Sequence, residues 1–121
     1  MQLRHTAPPS SGPIGIGYRK RVKNKAKGRW HLLLQKNGVP TRMLTGDKVQ
    51  CPECGGEFQF VDADRRGSYI CRGPGEAGSA GDGLVLVEHL GRLDYGQAVR
   101  TVGQALRVPE SLPKRAARFE R

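Results

Sequence analysis

Residues 51–71 read Cys51-Pro-Glu-Cys-Gly-Gly-Glu-Phe-Gln-Phe-Val-Asp-Ala-Asp-Arg-Arg-Gly-Ser-Tyr-Ile-Cys71. Two cysteines separated by two residues can wrap one metal ion. A glycine directly after the pair allows a positive φ that turns backbone N–H groups toward the thiolates. Glu57-Phe-Gln-Phe-Val61 then alternates, which predicts a strand with Phe58 and Phe60 on one face. Asp62-Ala-Asp-Arg-Arg-Gly67 supplies turn residues. Ser68-Tyr-Ile70 returns as a second strand and delivers Cys71. A hairpin that carries a cysteine pair ahead of its first strand and a ligand at the end of its second is the plan of a zinc ribbon.

The second half of that plan is incomplete in the sequence. The usual spacing would put a partner for Cys71 at residue 74, which is Pro74, and residues 73–83 contain neither cysteine nor histidine. The candidates for a fourth zinc ligand are Glu76, Asp82, His31, His89 and water, with His89 reading first as a surface or boundary residue. A degenerate site without metal is the main alternative. A redox pair is a weaker one, because such motifs usually open a helix in a βαβ setting, whereas here two glycines and a hairpin follow.

Outward from the hairpin the elements are short. Upstream, Trp30, Leu33, Leu34 and Val39 suggest about two helical turns, ended by Asn37-Gly38 and kept from continuing by Pro40. Met43 and Leu44, on the loop or short strand that leads into Cys51, read as core plugs. Downstream, Asp82 is an N-cap for a short helix over 82–90, a run β-branched enough to be compatible with a strand. Asp94 caps the clearest helix, 94–107, on which Tyr95, Ala98 or Val99, Val102 and Leu106 share a face. Pro109 and Pro113 end it, and residues 109–121 form a basic tail. The fold expected is a small α+β domain over 28–108: a zinc-ribbon hairpin core flanked by short helices.

Composition agrees with one small domain. The chain has 121 residues, 36% of them hydrophobic, with 17 Gly and 8 Pro, which leaves little room for a large enclosed active site. No apolar run approaches the roughly 20 residues of a membrane span. Residues 1–10 lack the apolar segment of a secretory signal. Three cysteines cannot all pair within one chain, so the expected compartment is the reducing cytoplasm, with thiols or thiolates rather than disulfides.

Charge is unevenly placed within a net +10. Residues 1–30 hold eight cations and no acid, whereas residues 51–108 hold six cations and eight acids. Arg19, Lys20, Arg21, Lys23, Lys25, Lys27 and Arg29 fall within eleven positions. Such a block seeks phosphate, acidic protein or acidic lipid, and the lack of a stripe of large apolar residues argues against a membrane-surface helix. Residues 1–27 are therefore expected to be a disordered basic arm that contacts nucleic acid; a solvated linker with no partner is the plain alternative. The ribbon aromatics Phe58, Phe60 and Tyr69 are candidates for stacking on the bases of a single strand, although in so small a ribbon at least one of them must face the core.

Read in order, Gly38-Val-Pro40, Leu44-Thr-Gly46, Cys51-Pro-Glu-Cys-Gly-Gly56, Phe58-Gln-Phe60, Gly67-Ser-Tyr-Ile-Cys71, Ala80-Gly-Asp-Gly83 and Ala98-Val99 resemble a known family. They are similar to the N-terminal zinc-binding domain of phage- and plasmid-type DNA primases and primase–helicases, over roughly residues 28–108. The resemblance implies a zinc ribbon with Cys51, Cys54 and Cys71 as the first three thiolates. It also implies single-stranded DNA as a partner and a role in helping a separate primase or helicase chain start replication. Two departures stand out: Pro74 replaces the fourth thiolate, and Glu57 directly precedes Phe58 where the family carries an Asp-Arg pair. There is no G-x-x-x-x-G-K-[ST] and no carboxylate-rich polymerase centre, so the chain is not expected to make primers or unwind DNA alone. The alternatives are a metal-free nucleic-acid-binding regulator of a mobile element, or a fragment of a split primase.

Overall fold

Alternation in Glu57-Phe-Gln-Phe60 decides which side of the sheet is buried. The computed structural model describes residues 12–73 and 79–110. Over these residues the strands are β1 (Val49–Gln50), β2 (Glu57–Phe60), β3 (Tyr69–Arg72) and β4 (Ser79–Gly81), joined in one antiparallel sheet in that order. Phe58 lies opposite Cys71 and Phe60 opposite Tyr69. Directly opposed residues of an antiparallel pair point to the same side. Four side chains therefore converge on one face, and all four are buried.

Helices α1 (Ile16–Ala26), α2 (Trp30–Lys36), α3 (Gly83–Gly91) and α4 (Tyr95–Leu106) complete a small α+β fold. The helix expected from Trp30 is α2, with Asn37 at its end and Gly38 at a φ of 98°. Asp82 caps α3 by accepting hydrogen bonds from the Leu84 and Val85 N–H groups, which settles helix over strand for that run. Asp94 and Gln97 form a reciprocal capping box on α4. Met43 and Leu44 are core residues, as read.

The single tryptophan is held between two glycines. A Cβ at Gly67, in the turn between β2 and β3, or at Gly83, the first residue of α3, would run into the Trp30 indole. Gly67 also has a φ of 72°, so both its conformation and its neighbour require glycine. The Gly83 N–H donates to the Arg66 carbonyl at 2.9 Å. The β2–β3 turn, α2 and the start of α3 are thus locked at one point.

Within the expected disordered arm over 1–27, residues Ile16–Ala26 are corrected to a helix, α1. Tyr18, Val22 and Ala26 recur every fourth residue and are all buried, so the segment carries a helical stripe despite seven cations in residues 19–29. Small residues on α4 make room for it: a Cβ at Gly103 would strike the Tyr18 hydroxyl. Arg21 donates to the carbonyls of Pro109 at 2.8 Å and Glu110 at 3.2 Å. Arg100, on α4, grips the Glu110 carboxylate through two nitrogens at 2.9 Å each and also donates to the carbonyls of Gly12 and Pro13. Residues 1–11 of the expected arm, most of the glycine-rich loop (74–78), and the tail over 111–121 lie outside the described residues.

If α1 belongs to the core, Val22→Ala should cost about 2 kcal/mol by urea denaturation, the loss of two buried methyl groups plus a cavity. Lys20→Ala, on the exposed face of the same helix, should stay within about 0.5 kcal/mol. Equal stability for both variants would return the segment to a loosely attached arm.

Candidate metal centre

The Cys51-Pro-Glu-Cys54 knuckle sits between β1 and β2 and closes on itself. The Cys51 N–H donates to the Gly56 carbonyl at 2.7 Å, and the Gly55 N–H returns to the Cys51 carbonyl at 2.8 Å. Gly55 adopts a φ of 76°, the positive value expected of the residue after the pair. Gly56 lies so close to the backbone of Arg72 and Gly73 that no side chain fits there. That contact sets the knuckle against the end of β3, where Cys71 points inward beside Phe58.

The fold brings His89 to the three cysteines. Its Nε2 lies 3.4 Å from the Cys51 Sγ, and the Cys54 and Cys71 Sγ atoms are 3.2 Å apart. The ligand atoms of Cys51, Cys54, Cys71 and His89 all lie within 4.8 Å of one another, close enough to hold one metal ion. Of the other candidates, Asp82 is committed to the cap of α3, and His31 is exposed on α2 and outside the cluster. Glu76 lies outside the described residues.

His89 is aimed by stacked rings. Tyr69 stacks on Phe58 at 5.9 Å between centroids and on His89 at 6.0 Å, with interplanar angles of 23° and 19°. The Tyr69 hydroxyl hydrogen-bonds the Ser79 hydroxyl on β4. A second link runs outside the donors, where the Arg92 Nε donates to the Glu53 Oε1 at 2.7 Å and ties the knuckle to the end of α3.

The electrostatics favour a bound cation. Burial pushes the Cys71 thiol far above the ordinary thiol range, and the adjacent Cys54 and Cys51 push it further. Burial also acts to raise Cys54, but the Gly56 N–H and the neighbouring Cys71 and Cys51 outweigh it and leave that thiol below the ordinary value. Packed together without a cation, the sulfurs cannot all ionise; a metal ion supplies the charge that lets them. Burial lowers the pKa of His89 against a smaller opposing pull from Glu53, so the imidazole favours the neutral form that ligates metal.

The other expected site residues fall elsewhere. Phe58, Phe60 and Tyr69 are 0%, 4% and 1% exposed, so none offers a ring face to a base, and the expected stacking surface is corrected: these rings are core. Lys20, Lys23, Lys25, Lys27 and Arg29 are exposed, while Arg19 and Arg21 are half-buried. The redox reading loses its setting, because the cysteine pair lies in a turn between strands and not at the start of a helix. Among the described residues, no helix is long and apolar enough to cross a membrane. No family model, curated protein or solved structure matches the chain.

His89→Ala should weaken metal binding as severely as Cys54→Ser, measured by competition with a chromophoric chelator. Chelation should speed hydrogen exchange over residues 51–72 while the amides of Val99 and Val102 in α4 stay protected. Full metal affinity in His89→Ala would remove the histidine from the ligand set.

Proposed function

We propose that Cys51, Cys54, Cys71 and His89 hold one zinc ion, and that the chain is a primase-type zinc-binding module. In this role it binds single-stranded DNA and assists a DNA primase or primase–helicase in replication. The observation that carries the reading is the fourth donor: His89 on α3 completes the set that Pro74 leaves open at the expected position. Three thiolates and an imidazole suit zinc, whose tetrahedral edges measure about 3.5–3.8 Å for Zn–S near 2.3 Å and Zn–N near 2.0 Å. The Cys51–His89 and Cys54–Cys71 donor pairs, at 3.4 Å and 3.2 Å, are shorter than those edges, and all four donors lie within 4.8 Å of one another.

Four protein ligands leave no open position of the kind a catalytic zinc keeps, so the ion's role is to hold the hairpin and α3 together. Support for the replication role comes from the ordered resemblance across Gly38-Val-Pro40 to Ala98-Val99. Support for DNA comes from the net charge of +10 and from the five exposed cations on and just after α1. With the ribbon aromatics buried, the contact is made to phosphates and is tolerant of sequence.

Affinity for a fluorescent single-stranded oligonucleotide should therefore fall steeply with salt. About four neutralised phosphates give a log–log slope near −3. Phe60→Leu should leave that affinity unchanged, and Lys20→Ala with Lys25→Ala should weaken it. An absence of binding at low salt would defeat the nucleic-acid reading.

A further inference from the structure

The basic helix and the ribbon turn, about forty residues apart in sequence, meet at one place. The Gly28 N–H, just past α1, donates to the Arg65 carbonyl in the ribbon turn at 2.9 Å. Gly28 has a φ of 80°, which lets the chain turn there toward Trp30. The junction leaves a cleft of about 270 Å³ lined by Lys23, Asn24, Lys27, Trp30, Arg66 and Asp82. Its volume is near the lower end for ligand clefts, about 300 Å³.

The charges in this cleft are unbalanced. Asp82 spends Oδ1 on the Leu84 and Val85 N–H groups, and its Oδ2 faces Lys23 at 3.7 Å. Among the described residues, Lys27 and Arg66 have no ionic partner, and the side chains of both are exposed. One carboxylate, already engaged, thus faces three cations delivered by two separate segments. The buried Trp30 indole forms an apolar wall beside them. An ordinary solvated face spreads its cations apart; here they converge on a concavity, which is the arrangement that captures an oxyanion.

We propose that the cleft between α1, the ribbon turn and the start of α3 is a phosphate-binding site, with Lys27 and Arg66 as the contacting cations. Resting on the nucleic-acid reading above, the phosphate is one group of a single-strand backbone, and the cleft anchors the strand between the basic face of α1 and the ribbon.

Trp30 is the only tryptophan in the chain, so its indole N–H resonance reports on the cleft directly. The full chain, with zinc, is titrated with pyrophosphate and separately with an oligodeoxythymidylate. Lys27→Ala/Arg66→Ala serves as the test variant, and Lys36→Ala/Arg42→Ala removes equal charge elsewhere. The expected result is a saturable Trp30 shift with both ligands. The test variant should lose that shift, bind the oligonucleotide about tenfold more weakly and show a salt slope shallower by about 1.4. The control variant should keep the shift and the slope. Should the oligonucleotide bind equally to wild type and test variant with Trp30 unmoved, the cleft proposal is overturned while strand binding stands. A Trp30 shift with pyrophosphate and no oligonucleotide binding would uphold the cleft as a site for free phosphate and overturn the strand reading. No response to either ligand would overturn both.

Discussion

Three sulfurs and one imidazole nitrogen brought within 4.8 Å of one another constrain the rest of this fold. Cysteine thiols can pack together as small apolar groups, but burial and the neighbouring sulfurs then hold Cys71 in its protonated form. A metal ion reverses that balance. Cys51 and Cys54 come from the knuckle, Cys71 from β3 and His89 from the last turns of α3, so one ion would fix the hairpin to a helix that follows it by more than ten residues. The column Phe58–Tyr69–His89 and the Arg92–Glu53 bond run alongside this link and hold the histidine where the sulfurs meet.

A second point of closure lies at the far end of the β2–β3 hairpin. Trp30 fills the gap between Gly67 and Gly83, so the hairpin turn, α2 and the beginning of α3 share one large ring. Closure at both ends suits a domain of this size, in which apolar burial alone leaves a narrow margin of stability. Helix α1 adds the third layer by docking Tyr18 and Val22 against α4 at Gly103. Its cations are thereby displayed from a fixed scaffold, and a row of charges with fixed spacing is better organised for a phosphate chain than a loose arm would be.

Much of this was legible in the sequence. The cysteine pair with its glycines, the period-two alternation around Phe58 and Phe60, and the caps at Asp82 and Asp94 are local signals, and each marks the element it predicts. What stayed open, including the choice of His89 among the candidate fourth ligands, was not local. His89 follows Cys71 by 18 residues, across a glycine-rich loop and onto a helix whose own pattern is apolar, so its meeting with Cys51 is a product of tertiary packing. The stripe Tyr18, Val22, Ala26 is weak because its last member is only a methyl group and the gaps are filled by lysine and arginine. Alternation placed Phe58 and Phe60 on one face but did not say that the helices would cover it. Gly67, Gly83 and Gly103 carry no side chain to announce a partner; their roles appear only once Trp30 and Tyr18 are seen against them.

X-ray absorption at the zinc edge of the purified protein reads the donor set at this centre. Three sulfurs at about 2.3 Å and one nitrogen at about 2.0 Å are expected, with the more distant scattering of a single imidazole ring. A shell of oxygens, or three sulfurs with no imidazole, would contradict this donor set, because α3 would then have no part in holding the metal.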